Sequence, residues 1–231
     1  MVAYDRVVRP SRWSRAVRLS LWVAVFAVLT VLGYAAGAAS TGRTPRLDAL
    51  YDWRVAVLQL AAYGFLAGVV LLLCAGRPLR EVLALRQPRS WRRAALLILG
   101  VEAVWICVSL GVAALVGVEG RELLPPRFHD DSRLLQFTLN AAIAGLVAPA
   151  VEEALVRGIG YALLEPSGAP VAVLGTGLAF AIAHGVVRDL PAILALGIGF
   201  SILRARTGSL YPSLVVHVFT NSLALLASLT R

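Results

Sequence analysis

LLQFTLNAAIAGLVAPAVEEALVRGIGYALL, residues 134–164, is apolar along most of its length, with its charges gathered in the second half. An α-helix needs roughly 20 apolar residues to cross a bilayer, and this run exceeds that. Lipid offers backbone groups no partners, so such a segment must be helical. The pattern recurs on both sides, at Leu19–Ala39, Val55–Ala75, Ala94–Val118, Val171–Val187, Leu190–Leu203 and Leu210–Leu229. The chain of 231 residues is 59% hydrophobic with a mean hydropathy of +0.78, too apolar for an ordinary soluble domain. The expected fold is all-α, a polytopic transmembrane helical bundle of about seven spans, the range being six to eight because the sixth is short and the fourth long. We read one membrane domain, with N-terminal helices over 1–133 and a more polar set of helices over 134–229.

The net charge is +9, and all 22 basic residues are arginine. A nucleic-acid partner is not implied, because the arginines stand in loops beside apolar spans, where they set membrane topology. Arg6, Arg9, Arg12, Arg15 and Arg18 precede the first span, and Arg77, Arg80, Arg86, Arg89, Arg92 and Arg93 fill the second loop. The third loop (Glu119, Arg121, Glu122, Arg127, Asp130, Asp131, Arg133) is slightly acidic. Basic loops stay in the cytoplasm, so the N-terminus is expected inside and, with seven spans, the C-terminus outside. The first apolar run is longer than a signal-peptide core, which favours an uncleaved helix. Cys74 and Cys107 lie in apolar segments and read as small buried hydrophobes. The arginine- and alanine-rich composition has a bacterial look, so the expected setting is a bacterial plasma membrane with membrane lipids as partners.

Ionisable groups inside a membrane are costly and mark functional candidates. Within 152–157, Glu153 and Arg157 are at i,i+4 with the acid on the N-terminal side, the favourable order for an ion pair. Glu152 points about 100° away and has no local counter-charge. A carboxylate so placed suits a general base or acid, while a purely structural network is the competing reading. Pro149 removes a helix donor; an uninterrupted α-helix would free the Gly145 carbonyl and kink. In FAIAH (180–184), Phe180 and His184 share a face, and in HVFTN (217–221), His217 and Asn221 do. Either pair can serve interhelical hydrogen bonding as well as chemistry. Measured along their helices, Glu152 and His184 fall at similar depth and His217 is one or two turns shallower. Glu102 has no polar company in its own segment and is a structural candidate. Gly175, Gly177, Gly197 and Gly199 suit close helix approach, within one chain or between copies.

EEALVR (152–157), FAIAH (180–184) and HVFTN (217–221) match, in order, the EExxxR, FxxxH and HxxxN motifs of the CPBP family of intramembrane proteases, the CAAX proteases and bacteriocin-processing enzymes also called ABI. RTGSLYPSLVVH (206–217) resembles the stretch that leads into the third motif. The resemblance covers roughly residues 134–229. It implies an intramembrane endopeptidase acting on a membrane-associated or lipidated protein or peptide. Carried over by position, Glu152 activates water, His184 assists it, and His217 and Asn221 supply oxyanion donors. Glu153 and Arg157 are the supporting pair, with Phe180 beside them. Zinc-type readings of the family imply a divalent metal, here on Glu152, His184 and His217. A metal-free glutamate mechanism uses the same residues, and the lack of HExxH inclines us to it. The alternative is a non-enzymatic bacteriocin-immunity or scaffold membrane protein of the same fold. A transporter built on inverted repeats would spread its polar groups over both halves, whereas here they crowd into the second. The motifs do not specify the substrate, the cleavage site or the oligomeric state.

Overall fold

The chain, in a computed structural model, is described over residues 13–40, 48–116 and 130–227. Each apolar run forms a helix. In chain order these are α1 (Arg15–Ser40), α2 (Trp53–Cys74), a one-turn α3 (Leu79–Val82), α4 (Trp91–Val116), a long α5 over residues 134–164, α6 (Ala169–Ala183), α7 (Leu190–Thr207) and α8 (Tyr211–Ala227). Among the described residues there is no strand. Helices α1, α2, α4, α5 and α7 are long and apolar enough to cross a membrane, so five of the seven expected spans reach full length. The other two, α6 and α8, are shorter apolar helices. Of the charges used for topology, Arg6, Arg9, Arg12, Glu119, Arg121, Glu122 and Arg127 lie outside the described residues.

Local chemistry sets the helix ends. Asp52 caps α2 by accepting from the Arg54 amide (2.8 Å). Ahead of α5, Asp130 accepts from the Ser132 amide (2.9 Å). Hydrogen bonds from Ser132 and then Arg133 hold the Asp130 carboxyl below the usual carboxylate range. Helix α7 stops at Gly208, which takes the left-handed conformation (φ 65°) and returns its amide to the Arg204 carbonyl.

At one end of the bundle, arginines close the last turns of three helices. Arg18, almost fully buried, donates to the Leu73 carbonyl and to the Ala75 carbonyl (2.8 Å) at the end of α2. Arg15 donates to the Leu163 carbonyl of α5 (2.8 Å), and Arg86 to the Gly208 carbonyl after α7 (2.7 Å). Carbonyls orphaned at a helix C-terminus favour cations, so these residues bind the fold together as well as charging one face.

Helix α5 is the axis. Residues 155–161 are buried in succession, as in a helix surrounded on all sides. Trp22 of α1 donates to the Leu155 carbonyl (2.9 Å) from within the core cluster. The outward faces of α1, α2 and α4 instead carry large exposed hydrophobics such as Val31, Phe65 and Leu115, as lipid-facing helices do. Cys74 is buried as expected. Cys107 is exposed on α4, because it falls on the lipid-facing side of a helix packed along one stripe only; both thiols are free.

The segment 171–187 departs from its expected span. Its helix ends at Ala183, and Gly185 turns the chain with φ 68°. That glycine lies against α1, where a Cβ on Gly185 would come within 2.3 Å of the Gly33 carbonyl carbon. Gly185→Ala therefore meets both an unfavourable dihedral and a backbone clash. We expect it to lower the melting temperature in detergent, by an amount equivalent to about 1–3 kcal/mol. A melt indistinguishable from wild type would show that α1 does not press on this turn.

Candidate active site

Two π-helical stretches, Ile143–Val147 and Ala154–Gly160, flank the short α-helical piece that carries the acid pair. Such bulges shift the hydrogen-bond register and release carbonyls. Upstream of the acids, the Ala148 amide donates to Ile143, and Pro149 has no amide to offer. The carbonyl that receives a side chain here is Ala144, one residue before the Gly145 expected for an uninterrupted α-helix. Asn221 of α8 donates to it through Nδ2 (3.0 Å). Gly145 lets α8 approach, since a Cβ there would lie 3.3 Å from Ser222 Oγ.

The i,i+4 pair is as expected. Arg157 Nη1 lies 2.8 Å from Glu153 Oε1, and neither side chain has any exposed surface. Arg157 Nη2 donates to the Gly197 carbonyl of α7 (2.9 Å). Its guanidinium also sits 4.3 Å from the Phe180 ring and 5.3 Å from the Phe200 ring, so two aromatic rings flank it, while its buried Nε–H has no hydrogen-bond partner. Gly177 and Gly197 let α6 and α7 cross closely within one chain, since a Cβ on Gly197 would fall 2.6 Å from the Gly177 carbonyl oxygen. Ser201 also donates to the Gly197 carbonyl (2.9 Å) and pairs with Thr176 of α6 (2.8 Å).

Glu152 points elsewhere. Its side chain is 24% exposed, and Tyr63 of α2 donates to its Oε1 (2.9 Å). His217 joins the two acids. Its Nδ1 lies 3.1 Å from Glu153 Oε1, and its Nε2 lies 3.8 Å from Glu152 Oε2. The Glu153 carboxylate, ionised beside Arg157, can only accept, so Nδ1 carries a proton and Nε2 faces Glu152. The depth difference computed along the helices thus closes for His217 through side-chain reach. Phe180 and Phe200 hold its ring, with centroids 5.6 and 5.2 Å away.

The structure therefore brings Glu152, Glu153, Arg157, Phe180 and His217 together. His184 stands one layer out. It caps the C-terminus of α6, exposed, with its ring 4.5 Å from Phe180 and Nδ1–H donating to the Phe180 carbonyl (2.7 Å). Asn221 shares the His217 face, but one of its amide hydrogens is committed to Ala144. Glu102 accepts from Thr220 of α8 (3.3 Å). Among the described residues no group of three or more His, Cys, Asp or Glu is spaced to hold a metal. The set Glu152, His184 and His217 does not form one, because His184 is turned onto Phe180 at the helix end.

The sequence reading missed Tyr63, Phe200 and the Gly197 carbonyl. Tyr63 was within reach, as a hydroxyl near the middle of a span whose other hydrogen-bonding side chain is Gln59. A backbone carbonyl leaves no signal in a sequence. Tyr63→Phe removes one hydrogen bond to a charged group, whose net worth is about 1.5–3 kcal/mol. We expect at least a tenfold fall in any Glu152-dependent turnover, with the fold intact by circular dichroism. Wild-type turnover in Tyr63→Phe would remove the hydroxyl from the site.

Residues 134–223 match the family model described as Type II CAAX prenyl endopeptidase Rce1-like. The matched stretch contains all three motifs, so the resemblance seen in the sequence holds over these residues. No curated protein and no solved structure matches the chain.

Proposed function

We propose, from the match of residues 134–223 to the Rce1-like CAAX endopeptidase family, that the chain is an intramembrane endopeptidase in which Glu152 activates water against a peptide bond of a membrane-associated or lipidated substrate. One observation carries the assignment of roles. The acid pair is split: Glu153 is sealed against Arg157, while Glu152 is partly open and hydrogen-bonded by the Tyr63 hydroxyl.

A water at about 2.8 Å from both Glu152 Oε2 and His217 Nε2 satisfies ordinary hydrogen-bond geometry. Its oxygen attacks the scissile carbonyl carbon as its proton passes to Glu152. The C–O bond forms, and the carbonyl π electrons move to the oxygen. Asn221 keeps a second Nδ2–H for this oxyanion. Glu152 then returns the proton to the amide nitrogen as the C–N bond breaks. His217 is held for this work by Glu153, in the way a buried carboxylate fixes a catalytic imidazole. His184 assists from the open end of α6 through its Nε2. The arginine-capped end faces the cytoplasm in this reading, with the N-terminus on the cytoplasmic side of a bacterial plasma membrane.

The test is cleavage of paired lipidated and unlipidated fluorogenic peptides by detergent-purified protein, with and without chelator. The expected result is cleavage of the lipidated peptide that chelator leaves unchanged and that His184→Ala and Asn221→Ala slow. Loss of cleavage with chelator, restored by zinc, would overturn the metal-free mechanism. An unchanged cellular phenotype in a Glu152→Gln strain would favour the immunity or scaffold alternative.

A further inference from the structure

A cavity of about 410 Å³ lies at the arginine-rich end, away from the acid cluster, between the start of α4 and the end of α7. Its polar wall is Arg89, Ser90, Arg93, Arg206 and Thr207, and its apolar wall is Leu96 and Leu97. That volume is within the range of small-ligand sites, roughly 300–1,000 Å³.

Its charge is uncompensated. Among the described residues no carboxylate pairs with Arg89, Arg93 or Arg206. The neighbouring arginines are committed elsewhere, Arg86 to the Gly208 carbonyl and Arg204 to the Tyr161 ring. Arg89, Arg93 and Arg206, all exposed, thus put three like charges around one cavity, and an anion seated there would offset them. Thr207 spends its proton on the Leu203 carbonyl (2.7 Å). Ser90 Oγ accepts from the Arg93 amide (3.3 Å) and retains its own proton for an acceptor in the cavity.

The second wall identifies the kind of anion. Leu97 packs inward on the Phe200, Leu203 and Val216 cluster. Leu96 is 70% exposed, and Leu99, one turn along α4, is 65% exposed. The cavity thus opens from a cationic mouth directly onto the lipid-facing surface of α4. A soluble anion would use only the first part. A phosphodiester that continues into acyl chains would use both.

We propose that this cavity binds the phosphate of an anionic phospholipid, with its acyl chains lying along Leu96 and Leu99 of α4. The arginine fork matches phosphate oxygens bidentately, and a basic pocket between helices at the cytoplasmic face is a setting that anionic headgroups favour. The site is distinct from the acid cluster and does not depend on the peptidase reading.

The test is native mass spectrometry of the detergent-purified full chain titrated with phosphatidylglycerol or phosphatidylcholine. We expect saturable retention of phosphatidylglycerol in preference to phosphatidylcholine. Retention falls by about fivefold for each arginine removed, in Arg89→Gln, Arg93→Gln and Arg206→Gln. Arg92→Gln, a neighbouring arginine outside the cavity wall, leaves it unchanged. Equal retention of both lipids, or full retention in all three single variants, overturns the proposal. Competition in the wild-type protein separates the two sources of phosphate. Inorganic phosphate that displaces the lipid at equal concentration would assign the cavity to a soluble anion and overturn the lipid assignment.

Discussion

Glu152→Gln lowers peptide-bond cleavage by about 10²–10⁴-fold, the range that a positioned general base contributes, and leaves the protein folded. Glutamine keeps the shape of the side chain and an oxygen for the Tyr63 hydroxyl, so the hydrogen bond now at 2.9 Å survives. What it loses is the capacity to take a proton from water. Because Glu152 is partly exposed and is not the ion-pair partner of Arg157, no buried charge is stranded by the change. The melting temperature in detergent should therefore stay near that of wild type. Glu153→Gln is the informative contrast. It leaves the fully buried Arg157 guanidinium without its counter-charge and His217 Nδ1 without a charged acceptor. Activity and stability should then fall together. The measurement is cleavage of a lipidated reporter beside a thermal melt, for both variants. Wild-type turnover in Glu152→Gln would remove this residue from the chemistry, whatever Glu153→Gln does.

This distinction between the two acids was legible in the sequence, because helical spacing alone pairs Glu153 with Arg157 and turns Glu152 away. The seven longer helices among the described residues each fall on an apolar run read as a span, since length and apolarity are what a membrane demands, whereas the one-turn α3 left no such signal. Depth was less so. Counting residues along straight helices set His217 too shallow, because it ignores side-chain reach and the two π stretches of α5. Likewise the carbonyl that Asn221 reaches is Ala144, not Gly145, since the register shift precedes Pro149. The end of α6 was misread for a different reason. Val186 and Val187 continue the apolar run, but Gly185 turns the backbone, so His184 ends a helix where it was expected inside one. Tyr63, Trp22 and Phe200 come from three other helices, and only tertiary packing brings them to α5.

Arg157→Met should destabilise the protein more than any other single change considered. It deletes a cation that binds Glu153, the Gly197 carbonyl and the faces of Phe180 and Phe200, all in the buried centre. Breaking a buried pair from one side costs about 3–5 kcal/mol, because the remaining charge is left in a medium that cannot solvate it. Removing both charges is a different experiment. In Glu153→Leu/Arg157→Met no charge is stranded, and an apolar pair of similar volume can be nearly neutral. Recovery should still be partial, since His217 Nδ1–H and the Gly197 carbonyl both lose a partner, although Ser201 still donates to the latter. An unpaired buried donor costs about 1–3 kcal/mol, so the double variant should lie between Arg157→Met and wild type. Thermal melts in detergent for the two singles and the double form a cycle whose coupling measures the pair. Additive losses would mean that Glu153 and Arg157 act independently and that the ion pair adds nothing to the stability of the buried centre. A double variant that melts near wild type yet cleaves nothing would instead separate the two duties of Glu153, holding Arg157 and orienting His217, and would place the second at the centre of catalysis.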